Sequence, residues 1–396
     1  MSEGVLESHP PDALFIVRKQ VEGYPDVFDS VRRMANIGIL RGGTTLEISP
    51  TAPDQEVTGV WRHVIEKVRQ RRTELVVLHH FHSDRLPDIS SYIRELRSLP
   101  HRPVVAITNG DAYFRGLFRP RFPATFLSAA RAADAVFTTS MGVAGDYLYR
   151  ETGSRIALLP HGVCQVRFDG RYLPPLSSQE PDFRVIIIGN HNRSRKPWSP
   201  YYWYGRKRER VVNELGKKFG SDFAIFGRGW EGFPNWHGPV AFSEQQLTCR
   251  RAEVVVGGVP YSPARYYTSD RPYIQIASGI PFVDLDVEGV GTLLRDGEHW
   301  HLAGSVDRIV DICDELLSTP RPARIESGMD SMKYLLEQHR VVDRCESLVR
   351  SLVALRQSII EGAAPPAPDL SHLLSDVSLA HELPYATRGW VENESA

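Results

Sequence analysis

Four polar stretches follow apolar runs and carry residue types that can handle an anionic or hydroxylated ligand. In Thr108-Asn-Gly-Asp-Ala-Tyr113 a carboxylate, Asp111, stands just beyond Val104-Val-Ala-Ile-Thr108. On such a loop a carboxylate can orient a hydroxyl or take its proton when it lies within hydrogen-bond reach; an Asn-Gly-Asp turn is the plainer alternative. His79-His-Phe-His82 closes another apolar run. Its spacing is not that of a helical zinc pair, so His80 and His82 read as imidazoles facing sugar or phosphate, or as structural histidines.

The third stretch opens with Gly189 and Asn190, directly after Arg184-Val-Ile-Ile-Ile188. Glycine lets the backbone approach a ligand closely, and asparagine can donate to a phosphate. His191-Asn-Arg-Ser-Arg-Lys-Pro-Trp198 and the residues up to Arg210 mix aromatic rings with Arg195, Lys196, Arg206 and Arg208. Guanidinium forks pair with a diphosphate while a ring stacks on a base; a solvated basic loop is the alternative. The fourth stretch is Ser269-Asp270-Arg271 before Pro272. Ser269 and Asp270 suit a helix N-cap, and a helix N-terminus also attracts phosphate, with Arg271 adding charge. The chain has neither GxGxxG nor a Walker A sequence, which counts against dinucleotide and ATP phosphate loops.

The elements that would position these residues alternate between short apolar runs and amphipathic stretches. Strands are predicted at 14–17, 44–48, 75–78, 104–108, 135–139 and 156–159, with helices at 28–38, 57–71, 89–99, 124–133 and 143–152 between them. Leu75-Val-Val-Leu78 lacks polar alternation, as expected of a parallel strand covered on both faces. The pattern restarts with strands at 184–188, 223–226, 253–256, 281–284 and 299–303, and with helices at 206–219, 243–251, 272–278, 306–317 and two more within 331–355. Repeated βα units of this length predict an α/β protein of two doubly wound, Rossmann-like sheets. We divide it into residues 1–168, a Pro- and Ser-rich linker 169–182, residues 183–360, and a tail 361–396 that can fold back on the first half. Ligands of such sheets bind outside the carboxyl ends of the strands, where all four stretches lie.

Composition sets limits on function. The chain has 396 residues, 42% of them hydrophobic and 24% charged, with a net charge of −1. That balance is globular, and it lacks the basic excess of a general nucleic-acid binder. Its four cysteines make no CxxC spacing, which argues against a zinc site and for a reducing cytoplasm. The N-terminal residues lack a secretory pattern, and no run approaches the ~18 apolar residues of a membrane span.

One ordered series of motifs resembles a known family. Ala133-Asp-Ala-Val-Phe-Thr-Thr-Ser140, a helix, and Ile156-Ala-Leu-Leu-Pro-His-Gly162 are similar to the end of the N-terminal domain in GT-B glycosyltransferases of the glycogen-synthase-like group. The Gly-Asn strand end, Phe226-Gly-Arg-Gly-Trp230, Glu253-Val-Val-Val256, Ser269 to Pro281 and Leu293-Leu-Arg-Asp-Gly-Glu298 follow in the family's order. The Ser-x-Arg…Ala-Ser-Gly variant most resembles the CgeB-like spore-maturation branch. The resemblance implies transfer of a sugar from a nucleotide-sugar to an acceptor hydroxyl, with retention and without metal or other cofactor. It places the donor diphosphate at Gly189, Asn190 and Ser269 to Arg271, with a basic pair drawn from Arg195, Lys196, Arg206 and Arg208. Asp111, with His80 or His82, would touch the acceptor, a saccharide or natural product, or the transferred sugar. Where the family has a ribose-binding glutamate, five residues before Gly279, this chain has Ile274. A nucleotide-sugar 2-epimerase and a non-catalytic binding protein of the same fold remain the alternatives.

Overall fold

The computed structural model describes residues 9–19, 23–49, 54–81, 87–111, 114–115, 119–191, 194–257, 264–368, 370 and 386–390. Its first half begins with β1 (Asp12–Arg18), α1 (Pro25–Asn36), β2 (Gly42–Ile48), α2 (Asp54–Arg71) and β3 (Leu75–His79). Next come α3 (Ser90–Arg97), β4 (Val104–Asn109) and a small hairpin, β5 (Phe114–Arg115) with β6 (Arg119–Pro120). The series ends with α4 (Ala124–Ala132), β7 (Ala135–Thr138), α5 (Val143–Thr152) and β8 (Arg155–Leu158). The six longer strands are parallel in the order β8-β7-β4-β3-β1-β2.

Burial explains the unbroken apolar runs. Along β1, Leu14 and Ile16 join Trp61, Val64 and Ile93 on one face, while Ala13, Phe15 and Val17 join Val27, Val31 and Met34 on the other. Successive side chains of a strand point to opposite faces, so a sheet clad on both sides needs apolar residues at every position.

The second half repeats the scheme: β9 (Phe183–Ile188), α6 (Pro200–Phe219), β10 (Phe223–Phe226), α7 (Gln245–Cys249), β11 (Ala252–Val256) and α8 (Asp270–Ile276). It continues with β12 (Phe282–Leu285), β13 (His301–Ala303), α9 (Val306–Ser318) and α10 (Arg321–Gln338). All five strands are parallel, in the order β10-β9-β11-β12-β13. Between the halves, the stretch read as a linker has a single 3-10 turn, Leu176–Ser178, with Leu176 buried in the second core.

Three segments cross between the halves. The helix α11 (Val341–Glu361) lies in the span assigned by sequence to the second half, yet it covers the first sheet. Its Cys345, Leu348, Val349, Leu352 and Leu355 share a cluster with Phe15, Val27 and Leu75, on a face of the first sheet that α1 and Trp390 also cover. The residues after it include β14 (Thr387–Arg388), which pairs antiparallel with β8, and Trp390, whose Nε1 donates to the Ile156 carbonyl at 3.0 Å. In the other direction, Ala264, Tyr266 and Tyr267 bury in the first core, and the Met141 amide donates to the Arg265 carbonyl at 2.9 Å. Among the described residues no helix is long and apolar enough to cross a membrane.

Candidate functional site

The parallel sheets bring the first-half strand ends to a cavity of about 870 Å3, closed from the other side by Phe242, Ser269, Asp270 and Ile274. The end of β3 supplies His79 and His80, and the end of β4 supplies Thr108 to Asp111. His80 takes a left-handed backbone conformation, φ +56°, which a non-glycine residue rarely adopts. Its amide donates to the Thr108 hydroxyl at 2.9 Å, and Nδ1 of His79 lies 3.2 Å from the same oxygen. The two imidazoles stack at 4.0 Å, with Tyr24 and His161 edge-on to His80 at 5.6 and 5.9 Å. A β-carbon on Gly110 would come within 2.9 Å of His80 Nε2, so the glycine makes room for the ring.

Asp111 is exposed at the cavity wall. Asn109 holds its loop, donating from Nδ2 to the Asp111 carbonyl at 2.7 Å and to the Thr138 hydroxyl at 3.1 Å. The Asn-Gly-Asp loop, held by Asn109, presents a carboxylate to the cavity. The buried Tyr267 registers both sides of the cleft. Desolvation raises its hydroxyl far above the ordinary range; Asp111 adds to this, Arg271 opposes it, and Asp270 adds a smaller push. His82, on the same expected histidine stretch, lies outside the described residues.

Asp26 joins this group, although the sequence reading did not select it. It stands in the first turn of α1, lines the cavity, and has its carboxyl pushed up by burial. The Val27 amide at 2.9 Å, Arg167 and the Cys164 thiol each offset part of that push. Tyr24 beside it is pushed up to about 12, chiefly by burial, with Arg18 opposing. Arg344 of α11 is buried at the cavity wall, with Nη2 2.6 Å from Nδ1 of His339 and Nε donating to the His161 carbonyl at 3.3 Å. Asp26 stands two residues ahead of the helix expected at 28–38, which in the structure begins at Pro25, and Arg344 depends on where α11 docks.

The expected donor residues divide. Ser269 and Asp270 line the cavity, with Ser269 as an extended N-cap residue whose side chain makes no cap bond. Ser269 also lines a small recess of about 40 Å3 with Arg208, Arg271, Gln275 and Asp284. Of the four basic candidates on the long loop and α6, Arg208 alone is buried, and it donates to the Asn190 carbonyl. Arg195 and Lys196 are exposed, and exposed Arg206 donates to the Tyr202 hydroxyl at 2.9 Å; none of the three lines the cavity. The helical rotation from residue 206 to 208 is about 200°, which turns one outward and the other inward.

Gly189 and Asn190 form a loop locked onto the next strand end. The Gly189 carbonyl accepts from Trp230 Nε1 at 2.7 Å, and Asn190 Oδ1 accepts from the Arg228 amide at 2.9 Å. Neither lines the cavity, although Asn190 fixes Arg208. Ile274 does line the cavity and brings no polar atom, while buried Gln275 donates to the Ile188 carbonyl at 3.2 Å. Among the described residues no group of three or more His, Cys, Asp or Glu side chains is arranged to hold a metal ion. All four cysteines are free and buried.

No family model matches the chain, and no curated protein matches it. Solved structures do resemble it in fold. A glycosyltransferase from Rickettsia africae aligns over 87% of this chain and 98% of its own, with a TM-score of 0.55 and 12% identity. The N-terminal domain of Candida albicans trehalose-6-phosphate phosphatase aligns over 87% and 97%, at 0.55 and 8%. The lipopolysaccharide outer core galactosyltransferase WaaB aligns over 85% and 98%, at 0.51 and 9%. Two parallel Rossmann-like sheets facing across a cleft, shared with these proteins over nearly their whole length, give this chain the GT-B fold.

Proposed function

We propose that the chain is a glycosyltransferase that moves a sugar from a nucleotide-sugar to an acceptor hydroxyl in the cavity between its halves. The observation that carries the reading is the convergence of Asp111 and His80 from one half with Ser269 and Asp270 from the other on a single cavity. The donor diphosphate lies against Ser269 and Asp270, with Arg271 and Arg208 behind. Their guanidinium groups offset the charge that grows on the leaving diphosphate, so the reading calls for no metal and no other cofactor. Gly189 and Asn190 act through the position they give Arg208, and Ile274 leaves the ribose to another residue.

In the reaction the acceptor oxygen bonds to the anomeric carbon as the bond from that carbon to the diphosphate oxygen breaks. The acceptor proton passes to Asp111 or to the leaving diphosphate, and His80 hydrogen-bonds the transferred sugar. Retention at the anomeric carbon belongs to this reading through the family resemblance. The acceptor is a saccharide or a hydroxylated small molecule.

The test is incubation with a panel of uridine, guanosine and adenosine diphosphate sugars. Slow release of the free nucleoside diphosphate, accelerated by an acceptor, is the expected result. Isomerised donor would replace the reading with the epimerase, and binding without turnover would replace it with the binding protein.

A further inference from the structure

The basic, aromatic segment that leads into α6 has a use beyond the cavity. From Phe183 to Arg208 the sequence has seven Lys and Arg residues and no Asp or Glu, in a chain whose net charge is −1. Six aromatic residues fall within the same span, Phe183 at its start and Trp198 and Tyr201 to Tyr204 near its end. Soluble proteins scatter exposed large apolar side chains singly. Here Trp198 is 66% exposed, Trp203 50% and Tyr201 41%, all within six residues.

The helix places these groups together. Residues 203, 206, 207 and 210 fall on one side of α6, opposite buried Gly205 and Arg208. Trp203 Nε1 donates to the Pro197 carbonyl at 2.6 Å, which ties the loop bearing Arg195, Lys196 and Trp198 to that face. Arg206 lies over the Tyr202 ring at 5.7 Å. Arg210 is paired with Asp307, but among the described residues Arg195, Lys196, Arg206 and Lys207 have no carboxylate within ion-pair distance. Trp203, Arg206 and Lys207 also border an outward groove of about 1060 Å3 with Phe233 and Pro234.

We infer that this face docks the protein on an anionic membrane surface, with Trp198 and Trp203 seated at headgroup depth and Arg195, Lys196, Arg206 and Lys207 against the lipid phosphates. Tryptophan favours that interfacial depth because its ring is apolar and its N–H polar, and clustered cations are drawn to acidic lipid. A nucleic acid would find the same charge, but two of the rings are tied to the protein's own groups: Trp203 bonds Pro197 and Tyr202 underlies Arg206. Docking needs no turnover, so it stands apart from the glycosyl-transfer reading.

The experiment is sedimentation of the full chain with vesicles of phosphatidylcholine containing about 30% phosphatidylglycerol, with pure phosphatidylcholine alongside. Binding is expected only to the acidic vesicles, with a blue shift of tryptophan emission, and is expected to fall severalfold in about 0.5 M salt. The quadruple variant R195A/K196A/R206A/K207A should lower the bound fraction at least about tenfold, and W198A/W203A about fivefold, with thermal midpoints unchanged. Equal binding to both vesicle types, no binding to either, or undiminished binding of both variants would overturn the inference. So would loss of nucleoside diphosphate affinity in W198A/W203A with vesicle binding intact, since the rings would then be a base platform.

Discussion

The amide of His80 donates to the hydroxyl of Thr108 at 2.9 Å, so the end of β4 holds a left-handed residue at the end of β3. Threonine is the one side chain in that relationship that both accepts the amide and meets Nδ1 of His79. Thr108→Val should therefore cost about 1–2 kcal/mol in urea unfolding, because a half-buried N–H loses its acceptor. His80→Gly should keep the fold, since glycine adopts positive φ freely, and should lower release of nucleoside diphosphate by about 100-fold. Turnover unchanged in the glycine variant would remove the imidazole from the reaction.

Asp111 and the Ser269–Arg271 loop reach the cleft from opposite halves, and their variants should separate. Asp111→Ala should lower turnover about 100-fold with little change in donor affinity, read by steady-state kinetics and calorimetry. Arg271→Ala and Arg208→Met should each weaken nucleoside diphosphate binding by about tenfold, read as a smaller ligand-induced thermal shift. Full affinity in both would place the diphosphate elsewhere.

Burial raises the Asp26 carboxyl above its unfolded value, and the sign of its effect on stability follows. The folded chain keeps this proton longer than the unfolded one. As pH climbs from the ordinary carboxylate range to the raised value, stability falls, and above that value the slope from this group is gone. Asp26→Asn stays neutral throughout, so its stability curve should be flatter across that window, measured by denaturant midpoints from pH 3 to 8. Parallel curves for the two proteins would show that Asp26 titrates as an ordinary carboxylate.

Trp390 caps the first sheet from a segment far along the chain, bonding Ile156 and meeting the Phe137 ring at 6.0 Å. Trp390→Ala should cost about 3–5 kcal/mol of stability in the first half, by analogy with other large-to-small core changes. The check is hydrogen exchange at β7 and β8, which should quicken there more than in the second sheet.

The residue patterns made much of this architecture legible, and particular residues show where legibility stopped. The runs that became β3, β4 and β9 were plain because a doubly covered parallel strand needs apolar side chains on both faces. Asp111 and His80 were visible because each follows such a run. Arg208 was one of four basic candidates, and nothing in the sequence set the rotation of α6 that buries it while exposing Arg206. Asp26 lay ahead of the helix expected at 28–38 and was not singled out, and α11 looked like another second-half helix.

Sequence by itself determined the two-sheet α/β plan, the strand ends where polar loops gather, and the apolar side chain at Ile274. These are local properties: side-chain period, turn chemistry and residue identity act within one element and its neighbours. The tertiary structure alone decided that α11 and Trp390 belong to the first core, that Tyr267 feels the charges of both Asp111 and Arg271, and that Trp203 faces outward. Apolar burial is non-directional, so an amphipathic helix is satisfied by any apolar face of the right shape. Only packing of the whole chain selects which face it covers and which charges remain outside.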